Sequence, residues 1–174
     1  MLDIATGGGD IPLRLWRWAR RAGVSLEIDA CDRSEVAVAY ARERAAAAAA
    51  AVRFFPCDAI RDPLPAGYDA VVCSLFLHHL DEAEAVTLLR RMAAAASRLL
   101  LVNDLLRCPQ GYLLAHLATR LLSRCPVVHI DGPRSVQGAF VLDEVRSLVA
   151  RAGLVRATLV GRWPCRFLLS WQRP

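Results

Sequence analysis

The sequence predicts an α/β protein: a doubly wound, mostly parallel sheet of seven strands that closes with an antiparallel hairpin. Three observations carry this. Short apolar runs alternate with helix-like stretches along most of the chain, which is the signature of parallel strands covered by helices. The first such run empties into three consecutive glycines, Gly7 to Gly9, followed by a helical pattern. The last two apolar runs are separated by a turn too short to hold a helix, so those strands must run antiparallel.

Each element has its own signal. Leu2–Ala5 reads as a short first strand, and Asp10 as the cap of a helix through Ala22 with Gly23 as its stop. Leu26–Cys31 is the second strand. Ser34 opens a helix that runs into the seven alanines Ala45–Ala51, good helix formers with little recognition content. Val52–Cys57 is the third strand, followed by a turn-rich loop over Asp62–Gly67. Tyr68–Leu75 is nearly all apolar, as a strand buried on both faces should be. Asp81 with Glu84 forms a capping-box start for a helix to about Ser97, and Arg98–Asn103 is the fifth strand. Apolar positions 113, 114, 117, 118, 121 and 122 make a helical stripe over Gln110–Arg124. A loop with Pro126, Gly132 and Pro133 should follow, then a helix over Leu142–Ala152 stopped by Gly153. Val155–Val160 and Phe167–Trp171 form the closing hairpin around Gly161–Pro164.

Composition narrows the classes. At 174 residues and 55% apolar, the chain is expected to be a single domain with a sizeable core. No apolar run approaches the ~20 residues of a membrane span, and no signal peptide is expected from the opening residues. The six cysteines, at 31, 57, 73, 108, 125 and 165, show no CxxC pair or metal-ligand spacing. They read as reduced thiols of a cytoplasmic protein, and no metal site is expected. All 22 basic residues are arginine, giving a net charge of +5; with no lysine, a phosphate-gripping P-loop lysine and Schiff-base chemistry are excluded. Pairs such as Arg20–Arg21 and Arg90–Arg91 read as solvated helix faces, and without aromatic interleaving no nucleic-acid partner is expected.

Ligands of such sheets bind beyond the carboxyl ends of the strands, where the strand order reverses. The glycines sit at that place. A tight turn alone would use one glycine; Gly7 and Gly9 together suggest close approach of a ligand to bare backbone. A dinucleotide is one alternative, but Pro12 stands where its fingerprint needs the third glycine. Asp10 would also occupy the helix N-terminus and repel a pyrophosphate. Acids end the first three strands: Asp3, Asp32 and Asp58. They are expected on one rim, where Asp32 could grip a ribose diol, Asp58 an adenine amino group, and Asp3 an ammonium directly or through water. Asp58 could equally be a helix cap.

The stretch "LDIATGGGD" resembles the D-x-G-x-G-x-G motif of class I S-adenosylmethionine-dependent methyltransferases. "ACDRSEVAVAYAR", "FFPCDAI" and "YDAVVCSLFLHHL" are similar to that family's second-, third- and fourth-strand motifs, so the likeness spans residues 2–80 in order. Within the superfamily the chain is most similar to quinone- and polyketide-type C- and O-methyltransferases. The resemblance implies a Rossmann-like methyltransferase fold, S-adenosylmethionine as cofactor, and methyl transfer to a small aromatic or polyketide-like acceptor. It implies that Asp3, Gly7 and Gly9 shape the methionine end, that Asp32 binds the ribose hydroxyls, and that Asp58 with the Ala59 amide reads the adenine; Ala5, Thr6 and Arg33 are expected among the cofactor-binding residues. The backbone around Ser74 would line the same pocket. Ala5 departs from the motif, which usually has glycine there.

An acceptor that must lose a proton needs a base, and His78 and His79, after the fourth strand, are the candidates. Residues 105–140, with His116 and His129, would form an acceptor-pocket insertion; Asn103 and Asp104 receive no role. Family members usually carry lid helices before the first strand, so a chain whose glycine motif begins at residue 2 is expected to be an N-terminally truncated form. A noncatalytic S-adenosylmethionine-binding module and a nicotinamide-dependent oxidoreductase are the alternatives. Acceptor identity and oligomeric state are not legible.

Overall fold

The computed structural model describes residues 1–123 and 125–174. Seven strands among them form one sheet: β1 (Leu2–Ile4), β2 (Ile28–Asp32), β3 (Val52–Pro56), β4 (Tyr68–Ser74), β5 (Ala96–Leu105), β6 (Thr158–Arg162) and β7 (Arg166–Gln172). The order across the sheet is β3-β2-β1-β4-β5-β7-β6. β1 to β5 pair in parallel, while β7 runs antiparallel to both β5 and β6. Six helices accompany them: α1 (Asp10–Ala22), α2 (Glu35–Ala47), α3 (Glu82–Ala95), α4 (Pro109–Leu122), α5 (Pro126–Gly138) and α6 (Leu142–Arg151), with a single 3-10 turn at Leu77–His79. The doubly wound sheet and its antiparallel hairpin are as the sequence predicts.

The strand order reverses at β1, which is flanked by β2 and β4. All three of its residues are buried. On one side of the sheet Leu13 of α1 and Val38, Ala41 and Ala45 of α2 close over Ala30 and Phe54. The alanines matter here, because small side chains let α2 lie close to the strands. On the other side Leu88, Leu89 and Met92 of α3 and Val145 and Leu148 of α6 share a larger core with Leu100, Val102, Phe167 and Leu169.

Several boundaries differ from expectation, each for a local reason. Asp10 does not cap α1; the cap is Gly9, left-handed at φ 77°, with no side-chain bond. The alanine run is not helical to its end: α2 stops at Ala47, and Ala49 turns left-handed at φ 48° to feed β3. β5 extends beyond Arg98–Asn103 at both ends, at its start because Ala96 pairs with Tyr68 of β4 and at its end because β7 pairs along it as far as Leu105. The first hairpin strand begins at Thr158 rather than Val155.

The expected loop with Pro126, Gly132 and Pro133 is instead helix α5. Pro126 occupies its first turn, where no amide partner is lost, and Pro133 is tolerated inside it, buried. α4 ends at Leu122, and the expected extension to Arg124 lies outside the described residues.

Gly9 is where the glycine turn meets the core. A Cβ there would stand 2.9 Å from the Phe54 ring and 3.2 Å from Ala41 Cβ, at a positive φ. Gly9→Ala is therefore expected to lower unfolding free energy by about 2–3 kcal/mol, combining overpacking with left-handed strain. Urea denaturation checks this, and an unchanged midpoint contradicts the packing described.

Candidate functional site

The register sets the strand ends level. Ile4 pairs with both Cys31 and Cys73, and Asp32 with Pro56. The residues immediately after these pairs therefore emerge together at the carboxyl edge of the sheet. There they line a cleft of about 220 Å³. Ala5, Asp32, Arg33, Asp58 and Ala59 form one part of its wall, and Cys57, Leu75, Phe76 and His79 the rest. Larger hollows of about 440 and 520 Å³ border the opposite end of the strands, near Ser97 and Tyr68. Parallel sheets bind ligands at the carboxyl ends, so the smaller cleft is the candidate.

Asp32 organises the cleft. One carboxylate oxygen accepts from the Gly7 amide at 2.8 Å, and the other from the Ser34 amide at 2.9 Å. A carboxylate offers about four lone-pair sites, so two remain for a ligand. These bonds also draw the glycine turn over the end of β2, helped by the Thr6 amide donating to the Cys31 carbonyl at 3.0 Å. A Cβ at Gly7 would meet nothing within 4 Å; its need for glycine lies in its φ of 54°.

Asp58 serves two purposes. Its Oδ1 accepts from the Ile60 amide at 2.9 Å and the Arg61 amide at 3.3 Å, capping its own turn, yet the residue also lines the cleft. The cap and the rim positions read from the sequence are therefore compatible.

Asp3 does not join this rim. It is 2% exposed, beneath the turn, with the Thr6 hydroxyl donating to it at 2.7 Å. Burial pushes its carboxyl up to about 7; the Thr6 bond opposes that rise and the nearby Asp32 charge adds to it. The expected meeting of three acids on one edge thus reduces to two at the surface and one below. Ser74, paired with Asn103 at the end of β4, sits one residue behind the cleft wall.

Asp10 behaves differently from expectation. Its carboxylate pairs with Arg44 at 2.7 Å, and the same guanidinium nitrogen donates to the Gly8 carbonyl at 2.8 Å. The repulsion of phosphate expected from Asp10 is therefore largely offset, and Pro12, buried on α1, is what still departs from a dinucleotide fingerprint.

The two histidines separate. His79 lines the cleft, and burial together with neighbouring His78 holds its imidazole below the usual value, which favours the neutral form. His78 is buried, its Nδ1 2.6 Å from Asp104 Oδ1. An ionised Asp104 can only accept, so that nitrogen carries the proton. Asp104 also receives the amides of Phe76 and Leu77 at 2.9 and 2.6 Å. It thereby pins the 3-10 turn that carries His79. His116 and His129 lie on α4 and α5, outside the cleft lining.

Sequence reasoning missed Leu75, Phe76, Cys57, Arg44 and the positioning part of Asp104. An acid near the end of an otherwise apolar strand was the available signal for Asp104. Leu75 had none, because its distinction is conformational. It adopts φ 56° and Ala5 φ 54°, both left-handed without being glycine, and both face the same cleft. Such strain, about 1–3 kcal/mol per residue, collects at functional sites.

Residues 1–98 match the family model described as "Methyltransferase domain". Solved structures share the fold. The S-adenosylmethionine-dependent methyltransferase SibL in its apo form is 21% identical, with 99% of this chain and 50% of that one covered at a TM-score of 0.72. The pyocyanin biosynthetic protein PhzM is 19% identical, covering 99% and 49% at 0.73. Magnesium protoporphyrin IX methyltransferase (ChlM) from Synechocystis PCC 6803 with bound SAH is 20% identical, covering 99% and 73% at 0.67. The chain spans about half the length of SibL and PhzM. No curated protein matches it.

Two measurements test this geometry. Ala5→Gly relieves the left-handed strain and should raise unfolding free energy by about 0.5–1 kcal/mol, less than the full strain because the unfolded chain also gains freedom; a destabilised variant would contradict it. The second concerns Asp3. The folded state holds its proton up to about pH 7, the unfolded chain only to 3.8. The stability this proton confers is complete below the lower value and is lost as pH rises through the higher. Against Asp3→Asn, the wild type should therefore lose about 2–4 kcal/mol between roughly pH 4 and pH 8. Denaturation series at both ends check this, and a constant difference rules it out.

Proposed function

The chain belongs to the methyltransferase-domain family, and on that premise we propose that it binds S-adenosylmethionine in the carboxyl-edge cleft and methylates a small aromatic or polyketide/quinone-like acceptor at oxygen or carbon. The observation that carries this is Asp32, whose carboxylate holds the Gly7 amide while keeping acceptor capacity toward the cleft. A ribose diol donates to such a group. Asp58 and the Ala59 amide stand next along the wall for the adenine. Gly7 and Gly9, with Ala5 and Thr6, make the turn that the methionine end would approach, and Arg33 and the backbone at Ser74 flank the same pocket. Asp3 acts from below: an ammonium near the turn would favour its ionised form, so its influence is electrostatic and passes through Thr6.

When bound, the sulfonium supplies an electrophilic methyl and a neutral thioether leaving group. What the chain adds is alignment of the acceptor with that methyl, which can account for much of the rate. Of the two histidine candidates, His79 is better placed to take a proton from a phenolic acceptor, being biased toward its neutral form and on the cleft wall. His78 would orient it from behind. In this reading residues 1–174 form one domain, and the α4–α5 hairpin within 105–140 contributes the acceptor side. Six free thiols are consistent with a reducing, cytoplasmic setting.

Calorimetry with S-adenosylhomocysteine tests the assignment. Wild type should bind, and Asp32→Ala should bind more weakly by about 1.5–3 kcal/mol, the size of a lost charge-assisted hydrogen bond. Equal affinities would remove Asp32 from the ribose contact, NADH binding in preference would favour an oxidoreductase, and binding without turnover on any acceptor would favour a noncatalytic module.

A further inference from the structure

Most of α4 is not packed on the protein. Gly111 is its one buried residue. Half-buried Ala115, His116 and Thr119 mark the side turned to α5, where a Cβ at Gly132 would stand 2.6 Å from Thr119 Cγ2. The other side presents Leu113, Leu114, Leu117, Leu121 and Leu122, 48 to 86% exposed. α5 adds Val127, Val128 and Ile130, 41 to 61% exposed. Aliphatic surface concentrated on one hairpin in this way marks an interaction site.

Charge selects the occupant. From residue 105 to residue 138, the end of α5, the sequence carries four arginines, at 107, 120, 124 and 134, against a single acid, Asp131, and Arg107 is paired with Glu144. A second copy joined through the same hairpin would set arginine beside arginine. An anionic bilayer would meet the leucines with acyl chains and the arginines with phosphate. α4 has 14 residues, about 21 Å at 1.5 Å per residue. No helix among the described residues is long and apolar enough to cross a membrane, so the hairpin would lie in the interface rather than span it.

We propose that the α4–α5 hairpin docks this protein on the surface of an anionic lipid bilayer. The hairpin is joined to the cleft, since α5 packs on the 3-10 turn that carries His79 and a Cβ at Gly138 would stand 3.1 Å from the His78 carbonyl. Docking therefore brings the cleft beside the bilayer. Taken with the methyltransferase reading, on which this last step rests, it makes the acceptor a lipid-soluble molecule drawn from the membrane.

Flotation with vesicles tests the docking. Wild type should float with phosphatidylcholine vesicles containing about 30% phosphatidylglycerol, and at least about tenfold less with phosphatidylcholine alone or at high salt. The double variant Leu117→Glu/Leu121→Glu should lose flotation, and Arg120→Glu should weaken it several-fold; both positions are exposed, so the fold is not at stake. Absence of flotation, or equal flotation of the double variant, overturns the proposal. So does a wild-type dimer in sedimentation velocity that becomes monomeric in the double variant without any flotation, which would assign the face to a second copy. S-adenosylhomocysteine calorimetry on the same preparations separates the two readings. Flotation without nucleoside binding removes the membrane-acceptor step and leaves the docking surface standing. Binding without flotation does the reverse.

Discussion

The molecule is organised by the burial of β1. Its three residues pair with β2 on one side and β4 on the other, and all are buried. That placement fixes the register of both neighbours and sets their ends level. It also forces an acid into the interior, since Asp3 is the middle residue of the strand. The carboxyl accommodates by keeping its proton to about pH 7 and accepting the Thr6 hydroxyl. An unfavourable burial within the most central strand is tolerated because Leu2 and Ile4, both fully buried, lie on either side of it.

From that level edge the site follows with few additional parts. Asp32 and the Gly7 amide tie β2 to the first turn, Asp58 caps its own turn while facing the same space, and Asp104 holds the turn that bears His79. Two left-handed non-glycine residues, Ala5 and Leu75, end adjacent strands and face the cleft between them. Their strain is held by a sheet that is rigid beneath them, a common arrangement where backbone must be presented to a ligand.

The rest of the chain divides by how it uses its apolar residues. α1, α2, α3 and α6 each bury an apolar side against the sheet, with Trp18, Val36 and Tyr40 left on the outer faces of α1 and α2. α4 does not, and with α5 it stands beside the cleft with leucines exposed and arginines close by in sequence. The same stripe at helical spacing thus has opposite meanings in different parts of the fold. In α3 it is core, and in α4 it is surface.

This contrast bounds what was legible in the residues alone. Alternating strand and helix patterns, the triple glycine and the capping box at Asp81 determined the sheet, its hairpin and the location of the cleft, because period and turn chemistry are local properties. The acids at the ends of β2 and β3 were readable for the same reason. The tertiary structure alone decided that Asp3 lies beneath the rim, that Arg44 neutralises Asp10 across 34 positions, that His78 turns inward to Asp104 while His79 faces the cleft, and that Pro126 and Pro133 sit inside a helix. Each depends on which side of an element packs and on which distant residue meets it. Burial and long-range pairing are properties of the assembled chain, and no window of sequence contains them.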